Sequence, residues 1–206
     1  MSFSDFHYPE LLNTFGLTAE PALGLFDQIA SVAPSSELQN RLAVGAPLAS
    51  ILNTEKARSE GMIAPVLVEF WWRYRGRIGL YSGNPFDADP AAGLSGYCDF
   101  LLSRSPQQPY VTPPVVVIIE AKRENINEAL GQCIAGMIGA QRFQRQSVSA
   151  IEPIYGCVTT GTVWKFLELN GTLVRMDLTE YTLTQVDRIL GILAHMIGPV
   201  PQPAAA

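Results

Sequence analysis

The chain has 206 residues and a mass of 22.4 kDa, a length that suits one domain. Apolar residues make up 48% and charged residues 16%, which supplies a sizeable core and excludes a disordered chain. The net charge of −5 is unevenly spread: residues 1–55 carry −5, residues 56–165 carry +2 and residues 166–206 carry −2.

In chain order, a short helix is predicted around Pro9 to Phe15, and a second from Pro21 to Val32 with Thr18 as its cap. A third begins after Ala33-Pro34-Ser35-Ser36. A further helix covers Thr54 to Phe70, which Pro65 should kink or restart. Arg77 to Ser82 and Leu94 to Leu102 read as strands separated by a turn-rich stretch, and Ser103 to Pro114 as a polar connection. Val115-Val-Val-Ile-Ile119 is five β-branched residues in a row, the pattern of a strand buried on both faces. Asn125 with Glu128 three positions on is a capping-box signal for a helix reaching Gln144. Ile154–Thr159 and Val163–Leu169 are strands around a Thr160-Gly161 turn. Asn170-Gly171 is a hairpin signal leading to Leu173–Met176. A helix from Leu183 to Ile197, capped by Thr182 or Thr184, closes the domain, and the proline- and alanine-rich tail 199–206 is expected to fray. This order predicts an α/β sandwich around a mixed sheet, 49–198, with a helical N-terminal extension, 1–48.

Several chemistries are excluded by what the chain lacks. No run approaches the ~18 apolar residues of a membrane span, and Met1 to Glu10 has no signal-peptide pattern. A cytoplasmic protein with no membrane contact is therefore expected. Cys98, Cys133 and Cys157 are too far apart for a zinc ribbon and read as small core residues. His7 and His195 stand near opposite ends, so histidine-metal nucleases, H-E-x-x-H proteases and Ser-His-Asp hydrolases fit poorly.

Three ionisable residues stand where burial makes them costly. Asp99 interrupts Gly96-Tyr-Cys-Asp-Phe-Leu-Leu102, and Glu120 and Lys122 end the most apolar strand. Residues i and i+2 of a strand share a face, so Glu120 and Lys122 project together. If the Asp99 strand is the neighbour, all three converge, and buried charges of this kind are paired or bind a metal. Asp99, Glu120 and the main-chain carbonyl of Ala121 make a hard oxygen set suited to Mg²⁺ or Mn²⁺. A lysine beside such an ion can position water and stabilise charge on a phosphate. The alternative is a structural ion-pair cluster at a sheet end.

Asp99, then Glu120-x-Lys122 ending an apolar strand, then a helix carrying Gln132, resembles the PD-(D/E)XK nuclease superfamily, the restriction-endonuclease-like fold. The nearest likeness is to small prokaryotic members related to the N-terminal nuclease domain of type I restriction R subunits. Ser59-Glu-Gly-Met-Ile-Ala-Pro-Val-Leu-Val-Glu69 resembles the first core helix of that group, and Gly156-Cys-Val-Thr-Thr-Gly-Thr-Val-Trp-Lys-Phe166 its late hairpin. The resemblance covers residues 50–180 and leaves the start of the chain unaccounted for. It implies that Asp99 and Glu120 are metal ligands, with Lys122 as the catalytic lysine. Gln132 would be the glutamine placed near the site, and Glu60 the first-helix acid, a role for which Glu69 competes. Cys98 stands where the family commonly has proline.

The resemblance implies Mg²⁺-dependent hydrolysis of phosphodiester bonds in DNA, in a restriction, repair or defence setting, with a larger restriction or repair assembly as a candidate partner. RNA is a further candidate substrate, and a homodimer with contacts from the N-terminal helices is a candidate assembly. The rival expectation is a module that keeps the fold, binds nucleic acid or protein, and has lost the reaction. Arg73, Arg75 and Arg77 beside Trp71, Trp72 and Tyr74 suit phosphate contacts with stacking, or equally an edge strand with solvated arginines. Arg142 and Arg145 suit the helix C-terminus. Gly136 and Gly139 lie on the Gln132 side of their helix at a cost of about 1 kcal/mol each relative to alanine, which points to close approach by a backbone or a ligand.

Overall fold

A computed structural model of the chain describes residues 1–107, 109–145 and 153–199. The tail expected to fray lies, beyond Pro199, outside the described residues. The core is a mixed sheet of eight strands: β1 (Thr18–Ala22), β2 (Gly79–Pro85), β3 (Tyr97–Ser103), β4 (Val115–Ala121), β5 (Ile154–Thr159), β6 (Val163–Asn170), β7 (Leu173–Asp177) and β8 (Tyr181–Thr182). Their order is β1-β7-β6-β5-β4-β3-β2, with β8 on β6. The β1–β7 and β4–β5 pairs are parallel and the rest antiparallel.

Among the described residues six α-helices accompany the sheet: α1 (Glu10–Phe15), α2 (Ser36–Leu52), α3 (Glu55–Arg58), α4 (Ala64–Arg73), α5 (Leu130–Arg145) and α6 (Val186–Ile197). Both faces of the sheet are covered. Phe3, Phe6, Leu11 and the α5 residues Ile134 and Met137 pack on one side with Leu101, Ile118 and Val158. Val66, Phe70, Leu190 and Leu193 pack on the other with Phe100, Val117 and Cys157. β4 is buried along its whole length, as the β-branched run requires. No helix among the described residues is long and apolar enough to cross a membrane.

Local chemistry sets the boundaries. The Ser35 hydroxyl accepts from the Leu38 N–H at 3.1 Å to start α2. Asn53, in the left-handed conformation at φ 48°, ends it. Thr54 caps α3 by accepting from the Ala57 N–H. A π turn, Ser59–Ile63, follows, and α4 restarts with Pro65 in its first turn, where the missing N–H is not needed. Pro65 thus restarts the helix as expected. Asn125 caps the turn into α5 by accepting from the Asn127 N–H at 3.0 Å. Glu128, however, takes the Asn125 side-chain amide instead of closing the expected capping box. Thr182 and Gln185 do form one ahead of α6.

The N-terminal stretch departs from expectation. The helix predicted over Pro21 to Val32 is replaced by β1 and a run of turns. Gly24 adopts φ +68°, which breaks the helical path. The Arg188 guanidinium, from α6, then donates to the carbonyls of Phe26, Asp27 and Ile29. Those are the acceptors that a helix would have used. The Val32 N–H donates to the Asp187 carbonyl at 2.9 Å. Residues 1–48 are therefore more than helical: they add an edge strand to the sheet and core side chains to both its faces.

Candidate functional site

The register of β3 on β4 pairs Phe100 with Ile119 and Leu101 with Ile118. Continued by one residue, it sets Asp99 opposite Glu120. The Ala121 N–H donates to Asp99 Oδ2 at 2.7 Å, which ties the aspartate to the end of β4. The Lys122 N–H donates to the Thr159 carbonyl at 2.8 Å, so the strand end carrying Glu120, Ala121 and Lys122 is held from both sides.

Helix α5 leaves β4 and returns across it, and Gln132 in its first turn donates from Nε2 to Glu120 Oε2 at 2.7 Å. Glu120 is fully buried. Its second oxygen, Oε1, is also buried and makes no hydrogen bond. Burial first, and then the Asp99 carboxylate, push the Glu120 carboxyl well above the usual carboxylate range, with Lys122 acting in the opposite sense. The Cys98 thiol is likewise driven up by burial and by the neighbouring Glu120. Cys98, Cys133 and Cys157 are all buried free thiols.

In front of these groups lies a cleft of about 310 Å³ lined by Asp99, Lys122 and Gln132, with Ser2, Phe3, Ser4, Gly96, Tyr97 and Glu55 completing the wall. The structure therefore brings together Asp99, Glu120, Ala121, Lys122 and Gln132. It does not bring in Glu60, which faces solvent and sits 3.9 Å from Lys56. Nor does it bring in Glu69, which accepts from Ser35 and Arg73. The acid that reaches the cleft from the α3–α4 run is Glu55, one residue past the Thr54 cap.

Glu55, Ser2, Ser4 and Tyr97 are lining residues that sequence reasoning missed. The glycines of α5 were the available signal for the N-terminal wall. A Cβ at Gly131 would meet the Phe6 carbonyl oxygen at 2.2 Å, and one at Gly139 would meet the Phe3 ring at 3.1 Å. The close backbone approach is thus at Gly131, from the start of the chain, whereas Gly139, where a backbone or a ligand was expected, meets the Phe3 and Ala88 side chains. Gly136 instead makes room for Ile118.

The arginines of the arginine–aromatic run have partners within the chain, while the buried Trp71 indole N–H has no hydrogen-bond partner. Arg73 pairs with Glu69 at 2.6 Å and donates to the Ala33 carbonyl. The guanidiniums of Arg75 and Arg77 lie over Trp72 and Tyr74 at 4.3 and 5.2 Å. Trp71 to Arg73 end α4, and the following residues form a turn, so this is no edge strand. Arg142 pairs with Asp89 at 2.6 Å.

No group of three or more His, Cys, Asp and Glu side chains among the described residues is arranged to hold a metal. Any ion at this cleft would rest on two carboxylates and main-chain or solvent oxygens. Such a set matches Mg²⁺, which retains several waters, better than a metal that needs a full protein cage. No protein-family model matches this chain, and no curated protein matches it either.

Proposed function

We propose that the protein is a Mg²⁺- or Mn²⁺-dependent deoxyribonuclease built on a restriction-endonuclease-like core. The observation that carries the reading is the state of Glu120. A fully buried carboxyl with one oxygen unpartnered, beside an Asp99 that lines an open cleft, can ionise only with positive charge supplied close by. Lys122 supplies part of it. The oxygens of Asp99, Glu120 and the Ala121 carbonyl are the donors that would hold a divalent ion, which when bound would act as a Lewis acid on a phosphoryl oxygen.

The chain's own residues have separable tasks. The Ala121 N–H orients Asp99 through its Oδ2. Gln132 fixes Glu120 through Oε2 and leaves Oε1 free. The Lys122 ammonium, at the cleft wall, is placed to orient water and to stabilise negative charge building on a phosphate oxygen. The hydroxyls of Ser2, Ser4 and Tyr97 around the wall are hydrogen-bonding groups for backbone phosphates. Glu55 takes the place in this scheme that the resemblance assigns to Glu60.

The test is cleavage of supercoiled plasmid and linear duplex with Mg²⁺ or Mn²⁺, comparing wild type with Lys122→Ala. Metal-dependent nicking should fall by roughly a hundredfold or more in the variant. Equal cleavage by both proteins would refute the assignment of Lys122. Calorimetric titration with Mn²⁺ separates the rival module: binding abolished by Asp99→Asn, with no cleavage of any nucleic acid, would mean a retained site without the reaction.

A further inference from the structure

Helix α2 is 17 residues long and buries only Leu38 and Ala49. A helix normally owes its stability to an apolar face packed on the core, and α2 has a second apolar face that is not packed. Val44, Leu48, Ile51 and Leu52 follow one another at helical spacing and are exposed, Ile51 to 80%. Val68 and Trp72 on the adjoining α4 are also exposed, at 43% and 56%. Between the two helices runs a groove of about 530 Å³ whose walls include Leu38, Pro65, Val68 and Trp72.

We infer that this α2–α4 face is the contact surface of a homodimer, occupied by the same face of a second copy of this chain. Two arguments favour a second copy. The first is area. At these exposures the six side chains present on the order of 600 Å² of apolar surface, at the top of the range for the largest patch on a monomer. Two such faces together remove about 1,200 Å², the lower bound for a stable interface.

The second argument is charge. The four charges lining the groove form two closed ion pairs, Arg41 with Glu37 at 2.7 Å and Arg73 with Glu69 at 2.6 Å. The groove lining is therefore neutral, and the Arg75 guanidinium stacked 4.3 Å over the Trp72 ring adds a single cation at its edge, so the face offers little electrostatic grip to nucleic acid or to a strongly charged protein. A two-fold contact needs a patch that is complementary to itself, and a largely apolar face with its groove charges paired internally meets that need. The inference goes beyond the nuclease reading and does not depend on it. If both hold, the dimer brings two clefts to one duplex, one for each strand.

The experiment is sedimentation equilibrium of the full chain up to about 100 µM. Wild type should approach twice 22.4 kDa. Ile51→Glu and Leu48→Glu should each weaken self-association by roughly thirtyfold or more, with unchanged circular dichroism. Leu178→Glu, at an exposed apolar position outside the face, should leave the dimer intact. A wild type that stays monomeric overturns the inference and leaves the face to a different partner. A dimer that persists undiminished in both α2 variants overturns it as well, by placing the contact elsewhere. Cleavage activity is not the readout, so failure here is separate from failure of the nuclease reading.

Discussion

Helices α5 and α2 are of similar length and both are rich in small apolar residues, yet they are used in opposite ways. α5 buries twelve of its 16 residues and α2 two of its 17. α5 crosses the parallel β4–β5 pair and is sealed on its other side by the start of the chain, so a glycine, a thiol and an amide each have a fixed neighbour. α2 meets the rest of the molecule along a narrow ridge. At its centre a Cβ on Gly45 would lie 2.6 Å from the Gly61 carbonyl oxygen. The difference teaches where tolerance lies. On α5 nearly every position holds the cleft together, whereas on α2 the outward positions are free of the fold and available for association.

Gly131→Ala should break the α5 side of the comparison hardest. The added methyl meets backbone, the Phe6 carbonyl oxygen at 2.2 Å and the His7 Cα at 2.8 Å, and backbone cannot swing aside as a flexible side chain can. The gain in helix propensity is at most about 1 kcal/mol. We expect a net loss of about 3 kcal/mol, the upper end for overpacking, measurable by urea denaturation. Protease cleavage within residues 1–8 should also accelerate, because Ser2, Phe3 and Ser4 lose their seat. Stability equal to wild type would mean that the start of the chain does not seal α5.

Gln132→Ala should cost less, about 2 kcal/mol. It removes the hydrogen bond that Gln132 donates to Glu120 Oε2 and leaves a buried carboxyl with neither oxygen satisfied by that helix. The check is the same denaturation, run at a pH where the variant's secondary structure is unchanged. A loss below about 0.5 kcal/mol would mean that the amide is no more than a surface contact.

Glu120→Gln tests the electrostatic part of the same site, and its sign depends on pH. Burial and Asp99 raise the folded-state pKa above the unfolded value, so the folded protein holds a proton that the unfolded chain gives up. The stability that this contributes is complete below the unfolded pKa, near 4.5, and is lost as pH rises through the folded pKa. Within that window wild type loses at most about 1.4 kcal/mol per pH unit from this group. Glu120→Gln has no such loss, so without metal it should gain on wild type as pH rises from 5 to 8. Parallel stability curves for the two proteins would remove the case for a strained carboxyl.

The same contrast explains what was legible in the sequence. The β-branched run of β4 is a local pattern, and the sheet reproduces it; Lys122 falls one residue past the strand, close enough for its charge to act on the Glu120 carboxyl. Asp99 was readable because an acid within an apolar strand has few ways to be satisfied. What escaped depends on partners distant in sequence. The apolar periodicity from Pro21 to Val32 is helical, but Gly24 and the carbonyl-capturing Arg188 override it. Glu55 and Glu60 are hard to tell apart when helix phase is the guide, because the π turn after Arg58 alters the phase between them. The N-terminal wall was hidden because Ser2 and Ser4 reach the cleft only through Phe3 and Phe6 seating on the glycines of α5.

The smallest expected effect is on α2. Val44→Gln and Ile51→Gln replace exposed side chains with polar ones of similar reach, so in dilute solution each should change unfolding free energy by less than about 0.5 kcal/mol. At high concentration the proteins should separate. Anything that binds only the folded state stabilises it by mass action, so the wild-type melting temperature should climb with protein concentration while that of Ile51→Gln stays flat. The α5 variants behave in the reverse manner: their loss is present at every concentration because it lies within one chain. A concentration-independent loss in Ile51→Gln would show that α2 is tied into the fold as firmly as α5, and the contrast between the two helices would fail.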